Sequence, residues 1–171
     1  MPNFKKEFIN SKRFPAEALF KGKKIFVSDK FSIHNKNKLR FSIEKTNGKF
    51  TQGFCVRVNG YIKTDKIKTN KRKYANILFW EDGDLIDPKN IVVQIFTKED
   101  HIFIKNIWEA CDEEGKLRAC YAGSGEWRKD DKWGGAAMYS EDIPNGKRYF
   151  CNDGVPDDDF DDIIFTVERL V

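Results

Sequence analysis

Lys38-Leu39-Arg40-Phe41-Ser42-Ile43-Glu44-Lys45-Thr46, then Asn47-Gly48, then Phe50-Thr51-Gln52-Gly53-Phe54-Cys55-Val56-Arg57-Val58 is the stretch that settles the class of fold. Leu39, Phe41 and Ile43 fall on one face of an extended chain, and Phe54, Val56 and Val58 do the same beyond the Asn-Gly pair. Apolar residues at period two indicate half-buried strands. An Asn-Gly pair between two such runs predicts a hairpin, because both residues tolerate the positive φ of a tight turn.

The same alternation recurs outward from this core. Runs at 24–27, 74–80, 91–96, 101–109, 117–121, 136–139, 147–151 and 163–167 are separated by Glu81-Asp82-Gly83-Asp84, Asp87-Pro88-Lys89-Asn90, Lys98-Glu99-Asp100 and Pro144-Asn145-Gly146. About ten short strands at roughly 8–12-residue spacing, with no long segment of helical period, predict an all-β antiparallel sandwich or jelly roll. A closed barrel competes with it. A turn or two of helix is expected around Phe14-Pro15-Ala16-Glu17-Ala18-Leu19. No linker or repeat divides the chain, so residues 1–171 read as one domain, with a Lys-rich, loosely held arm over 1–23.

The 171 residues are 40% apolar, 14% aromatic and 34% charged, a globular rather than a disordered composition. No run approaches the ~18 apolar residues of a membrane span. The opening Met-Pro-Asn-Phe-Lys-Lys-Glu-Phe has no apolar signal core, so the default compartment is the cytoplasm; a chain trimmed of its leader would be secreted. Cys55, Cys111, Cys120 and Cys151 form no C-x-x-C pair and are expected as thiols. Cys111 and Cys120 flank a turn at 112–116 and could face each other across a hairpin.

A net charge of +4 conceals a split. Residues 1–74 carry 20 Lys+Arg against 5 Asp+Glu, and the remainder 11 against 22. The densest basic run holds Lys63, Lys66, Lys68, Lys71, Arg72 and Lys73. Such a run can track phosphates, dock an acidic partner, or sit as a solvated loop facing the acidic half of its own fold. The last is favoured. Nucleic acid remains a partner only through 63–73, because the aromatics that stack bases do not interleave there.

Six carboxylates crowd into Asp153-Gly154-Val155-Pro156-Asp157-Asp158-Asp159-Phe160-Asp161-Asp162. They repel one another unless a positive charge sits among them, and Ca²⁺ takes roughly six to eight such oxygens. On an extended chain Asp157, Asp159 and Asp161 point together, and Asp162 could close the site. The spacing Asp157, Asp159, Asp161, Glu168 also fits an EF-hand, but Asp162 stands where that loop needs Gly. The competing reading is a metal-free loop whose aspartates accept backbone N–H groups and meet cations of the basic half. The segment Asp153 to Phe165, with Asp157, Asp159, Phe160, Asp161, Asp162, Ile163 and Ile164, resembles the D-x-D-F-[ND]-D loop of bacterial secreted β-rich domains of largely unassigned function. That resemblance implies a calcium site at the end of a β-sandwich, with Asp153 and the other matching aspartates as ligands.

Trp80 and Trp108 sit in apolar strands and read as core. Trp127 and Trp133 share a polar, Gly-flanked loop and read as a contact surface for a glycan or protein, or as a cap folded over the sandwich end. His34 and His101 make no zinc motif, and no nucleophile elbow, P-loop or dinucleotide fingerprint occurs. A metal nuclease is the enzyme that would suit the aspartates. The expectation is a non-enzymatic binding module with a Ca²⁺ loop. Its rival is a metal-free interaction or inhibitor-type protein docking by its charge split.

Overall fold

The computed structural model describes residues 2–83, 87–129 and 131–171, and the side chains of all of these but Glu126 and Asp131. In chain order they form α1 (Phe4–Asn10), β1 (Glu17–Phe20), β2 (Lys23–Phe26), β3 (Asp29–Ser32), β4 (Lys38–Thr46), β5 (Gln52–Lys63) and β6 (Arg72–Trp80). There follow β7 (Ile91–Thr97), β8 (His101–Cys111), β9 (Leu117–Cys120), α2 (Gly125–Lys129), a 3-10 turn (Asp131–Trp133), β10 (Ala137–Ile143), β11 (Gly146–Asn152) and β12 (Ile163–Leu170). The protein is an all-β, antiparallel, sandwich-like fold.

One hydrogen-bonded sheet folds over on itself along β5. The first layer runs β1-β2-β10-β11-β12-β4-β7; the second is β6-β5-β8, with β3 and β9 both on the far edge of β8. Residues 52–57 of β5 pair with β8, whereas its residues 60–63 pair with β7. The bend falls at a bulge between Val58 and Gly60. Gly60 has φ 148°, and a Cβ there would run into the carbonyl of Phe96. Only glycine lets the strand pass from one layer to the other at that spot.

The expected alternation carries the main core. Leu39, Phe41 and Ile43 of β4 meet Phe54, Val56 and Val58 of β5, all buried. Phe54 stacks on Phe41 at 4.8 Å, on Phe165 at 4.7 Å and on Phe79 at 5.2 Å. Tyr149 extends this spine from Phe165, and its hydroxyl donates to Asp29 at 2.6 Å. A second cluster gathers Phe4 and Phe8 of α1, Ile25, Trp108, Cys120, Trp127 and Phe160.

Four expectations need correction. First, β4 and β5 do not form a hairpin. β4 is occupied by β12 on one side and β7 on the other, and neither Asn47 nor Gly48 has positive φ. Asn47 is instead tied to the acidic loop through Asn47 N–H to Asp162 O at 3.0 Å. Secondly, residues 17–20 are the edge strand β1, not a helix; the helix lies earlier, where Phe4 and Phe8 recur four apart. Thirdly, those two phenylalanines are buried, so α1 within the expected 1–23 arm is packed against the fold. Fourthly, Trp108 lies opposite Cys120 and Cys111 opposite Leu117, so the two thiols do not face each other. All four cysteines are free.

Candidate cation loop and binding cleft

Residues 153–162 link β11 to β12 and are held at both ends by one side chain. Buried Asn152 accepts the Phe160 N–H at 2.7 Å and donates to the Asp157 carbonyl at 2.9 Å. Its own carbonyl receives Asn106 at 2.9 Å. Asp153, 1% exposed, accepts the Val155 N–H at 2.8 Å and the Gln52 amide at 3.0 Å. Asp162 accepts the Asp153 N–H at 2.8 Å. Gly154 lies flat on Trp108 and Trp133, where a Cβ would meet both indoles at under 3 Å.

The six aspartates sort into two groups. Asp158 points out to Lys21 and Asp161 to Lys45 at 2.8 Å, and each cation holds its carboxyl below the usual range. Asp157, Asp159 and Asp162 converge instead, with one oxygen from each within 4.8 Å of the others, Asp162 buried, Asp157 half-buried and Asp159 exposed. Asp153 adjoins this trio through Asp162. The simple alternation that groups Asp161 with Asp157 and Asp159 fails at Phe160. That residue has φ 53° and buries its ring in the second cluster, so the next residues change sides and Asp162 converges instead.

Among the described residues no ion pair offsets the converging group. Burial first, then the Asp159 charge, push Asp157 up to about 6; burial and the Asp153 charge push Asp162 up to about 7. Burial also raises Asp153. Asp157 Oδ1 is buried without a hydrogen-bond partner, and so is Oε1 of Gln52.

Trp127 and Trp133 do not make an exposed platform. Trp127 is 3% exposed, and half-buried Trp133 packs against Phe50 at 5.5 Å behind the acidic loop. Trp108 is buried and Trp80 half-buried. Trp127 does, however, form part of the wall of an open cleft of about 450 Å³ between α1, α2 and the outer face of β5 and β8. Sequence periodicity hides this cleft because its walls come from distant segments. The signal available was the cationic and aromatic character of the outward positions Arg57, Phe103 and Lys105.

Lys63, Lys66, Lys68, Lys71, Arg72 and Lys73 are all exposed along the end of β5, the start of β6 and the loop between them. Lys68 covers Tyr61 at 4.8 Å and Lys73 covers Tyr74 at 5.4 Å. Among the described residues no helix is long and apolar enough to cross a membrane. Comparison with protein-family models, with curated proteins and with solved structures returns no match to this chain.

Proposed function

We propose that the protein is a non-enzymatic β-sandwich binding module whose 153–162 loop is ordered by Ca²⁺. The observation that supports this is the convergence of Asp157, Asp159 and Asp162 within 4.8 Å, with no ion pair to any of them among the described residues. Carboxylates held this close repel one another, and a metal among them relieves that repulsion. Ca²⁺ suits an all-oxygen set that can add second carboxylate oxygens and water to reach roughly six to eight ligands. The loop would then be an organiser: cation binding fixes the chain that rests on Trp108 and Trp133.

Thermal unfolding in EDTA and in millimolar Ca²⁺ or Mg²⁺ tests the reading. Saturation at about 100 times the dissociation constant stabilises by about 2.7 kcal/mol, or about 5–10 °C for a domain of this size. A Ca²⁺-selective shift that vanishes in Asp159→Asn supports it, and identical curves overturn it.

The basic hairpin favours a second reading, a metal-free interaction protein that docks an acidic partner through Lys63–Lys73. It predicts partner capture that weakens steeply with salt and ignores Ca²⁺. Nucleic acid as that partner would show a linear fall of log affinity with log salt.

A further inference from the structure

The cleft beside α1 shares no lining residue with the acidic loop, and its chemistry is different. Its floor is the face of β5 and β8 turned away from the aromatic core, where Cys55 pairs with Lys105 and Arg57 with Phe103. One wall is the N-terminal segment with Phe8 and Phe14; the other is Trp127 and Arg128 of α2. Its volume of about 450 Å³ is that of a small-molecule site, which generally runs to about 300–1,000 Å³. Phe14, 89% exposed at its rim, is a large ring left in water.

The polar groups of the cleft are of one sign. Arg13, Arg57, Lys105 and Arg128 line it, and no carboxylate does among the described side chains. Arg13 is paired to Glu17 at 3.0 Å, Arg128 donates to the Gly123 carbonyl at 3.1 Å, and Lys105 lies over Tyr121 at 3.6 Å. Arg57 has no carboxylate partner among the described residues, and its Nε is buried without an acceptor. The indole Nε1 of Trp127 is likewise buried without an acceptor. Burial, with a smaller contribution from the nearby Arg57 charge, brings Lys105 down to about 8. Burial pushes the Cys55 thiol up, which makes the floor a poor nucleophile and suits a site that holds rather than reacts.

We propose that this cleft is the module's ligand site and that it takes a small amphipathic carboxylate. The apolar body lies among Phe14, Phe103 and Trp127, and the carboxylate is held by Arg57 and Lys105. The proposal names the ligand class of the binding module and rests on that reading, but it makes no use of the cation loop.

The test is titration of the full chain with naphthoate, with decanoate and with naphthamide, the neutral amide of the first. Each is followed by calorimetry and by the indole N–H resonance of Trp127, in EDTA and in Ca²⁺. Naphthoate should bind saturably at submillimolar concentration and shift that resonance, with naphthamide at least tenfold weaker. Arg57→Gln should erase the tenfold preference while keeping the unfolding midpoint. Should that variant fail to fold, the carboxylate-to-amide contrast on the native chain decides alone. Equal affinity for naphthoate and naphthamide overturns the anion assignment and leaves the binding module standing. Absence of saturable binding by all three up to millimolar concentration, in both media, overturns the cleft as the ligand site. The Ca²⁺ response of the unfolding midpoint is read separately and bears only on the loop.

Discussion

Asp162 carries two duties that pull against each other. Its oxygen receives the Asp153 N–H, which needs an acceptor, while its charge faces Asp153, Asp157 and Asp159. Asp162→Asn keeps an acceptor and removes the charge. Its unfolding midpoint in EDTA at neutral pH should rise, on the scale of about 1 kcal/mol typical of single substitutions, and its response to Ca²⁺ should disappear. Asn152 is the opposite case. Asn152→Ala strands the Phe160 N–H and the Asp157 carbonyl, and each unsatisfied buried group costs about 1–3 kcal/mol. Urea unfolding should show a loss of about 2–4 kcal/mol, with the Ca²⁺ shift lost alongside it. The aspartates were legible in the sequence because carboxylates in that density demand explanation. Asn152 and Gln52 were not, since a buried amide looks like any surface amide until its partners across the fold are known. The placing of Asp161 toward Lys45 was not legible either, because a single positive φ at Phe160 interrupts an alternation that sequence can only assume.

At the scale of elements, hydrophobic period two identified nearly every strand and failed on pairing. β10 and β11 are joined by the two-residue loop Pro144-Asn145, with Asn145 at φ 62°, as a tight hairpin needs. Asn47-Gly48 offered the same signal, yet the neighbours of β4 come from 91–94 and 163–170. Turn chemistry permits a hairpin; tertiary competition for a strand's two edges decides whether it forms. β3 was missed because four residues with only Phe31 fully buried carry too little pattern. α1, at seven residues, is too short to be stable alone, and its helicity derives from burying Phe4 and Phe8. Phe8→Ala should therefore cost about 3–5 kcal/mol in denaturant unfolding. Hydrogen exchange should show α1 amides opening first in that variant.

Over the whole molecule, four ion pairs join the two charge halves among the described residues. Lys21 and Lys45 from the basic half reach Asp158 and Asp161 of the acidic half, and Lys147 and Arg148 of the acidic half reach Asp29 and Glu44. Asp157, Asp159 and Asp162 stay outside these pairings among the described residues. The consequence is a pH profile. Asp157 and Asp162 have folded values of about 6 and about 7, above the ordinary carboxylate value of about 3.9. The folded state thus holds more protons than the unfolded one over that interval, so their contribution is greatest below about pH 4 and is lost as pH rises through about 7. In EDTA the unfolding midpoint should fall between about pH 5 and 8; saturating Ca²⁺ should flatten that fall, and its apparent affinity should drop below about pH 6. A midpoint that rises with pH across this range in EDTA would show that the converging carboxylates are not strained by one another.

β12 lies between β11 and β4 and, among the described residues, is the only element that joins the β10–β11 hairpin to the β4–β7 pair. It is also the last of the described strands in sequence order. Until residues 163–170 are in place, those two halves have no common neighbour, and Phe165 cannot complete the aromatic stack on Phe54. Every earlier strand pairing in that layer is therefore provisional. Closing the layer means drawing together segments more than a hundred residues apart, a search whose entropy is spent before the contacts repay it. Folding of this protein should accordingly be slow for its size and all-or-none, with amides of β4, β11 and β12 gaining protection together in a refolding pulse.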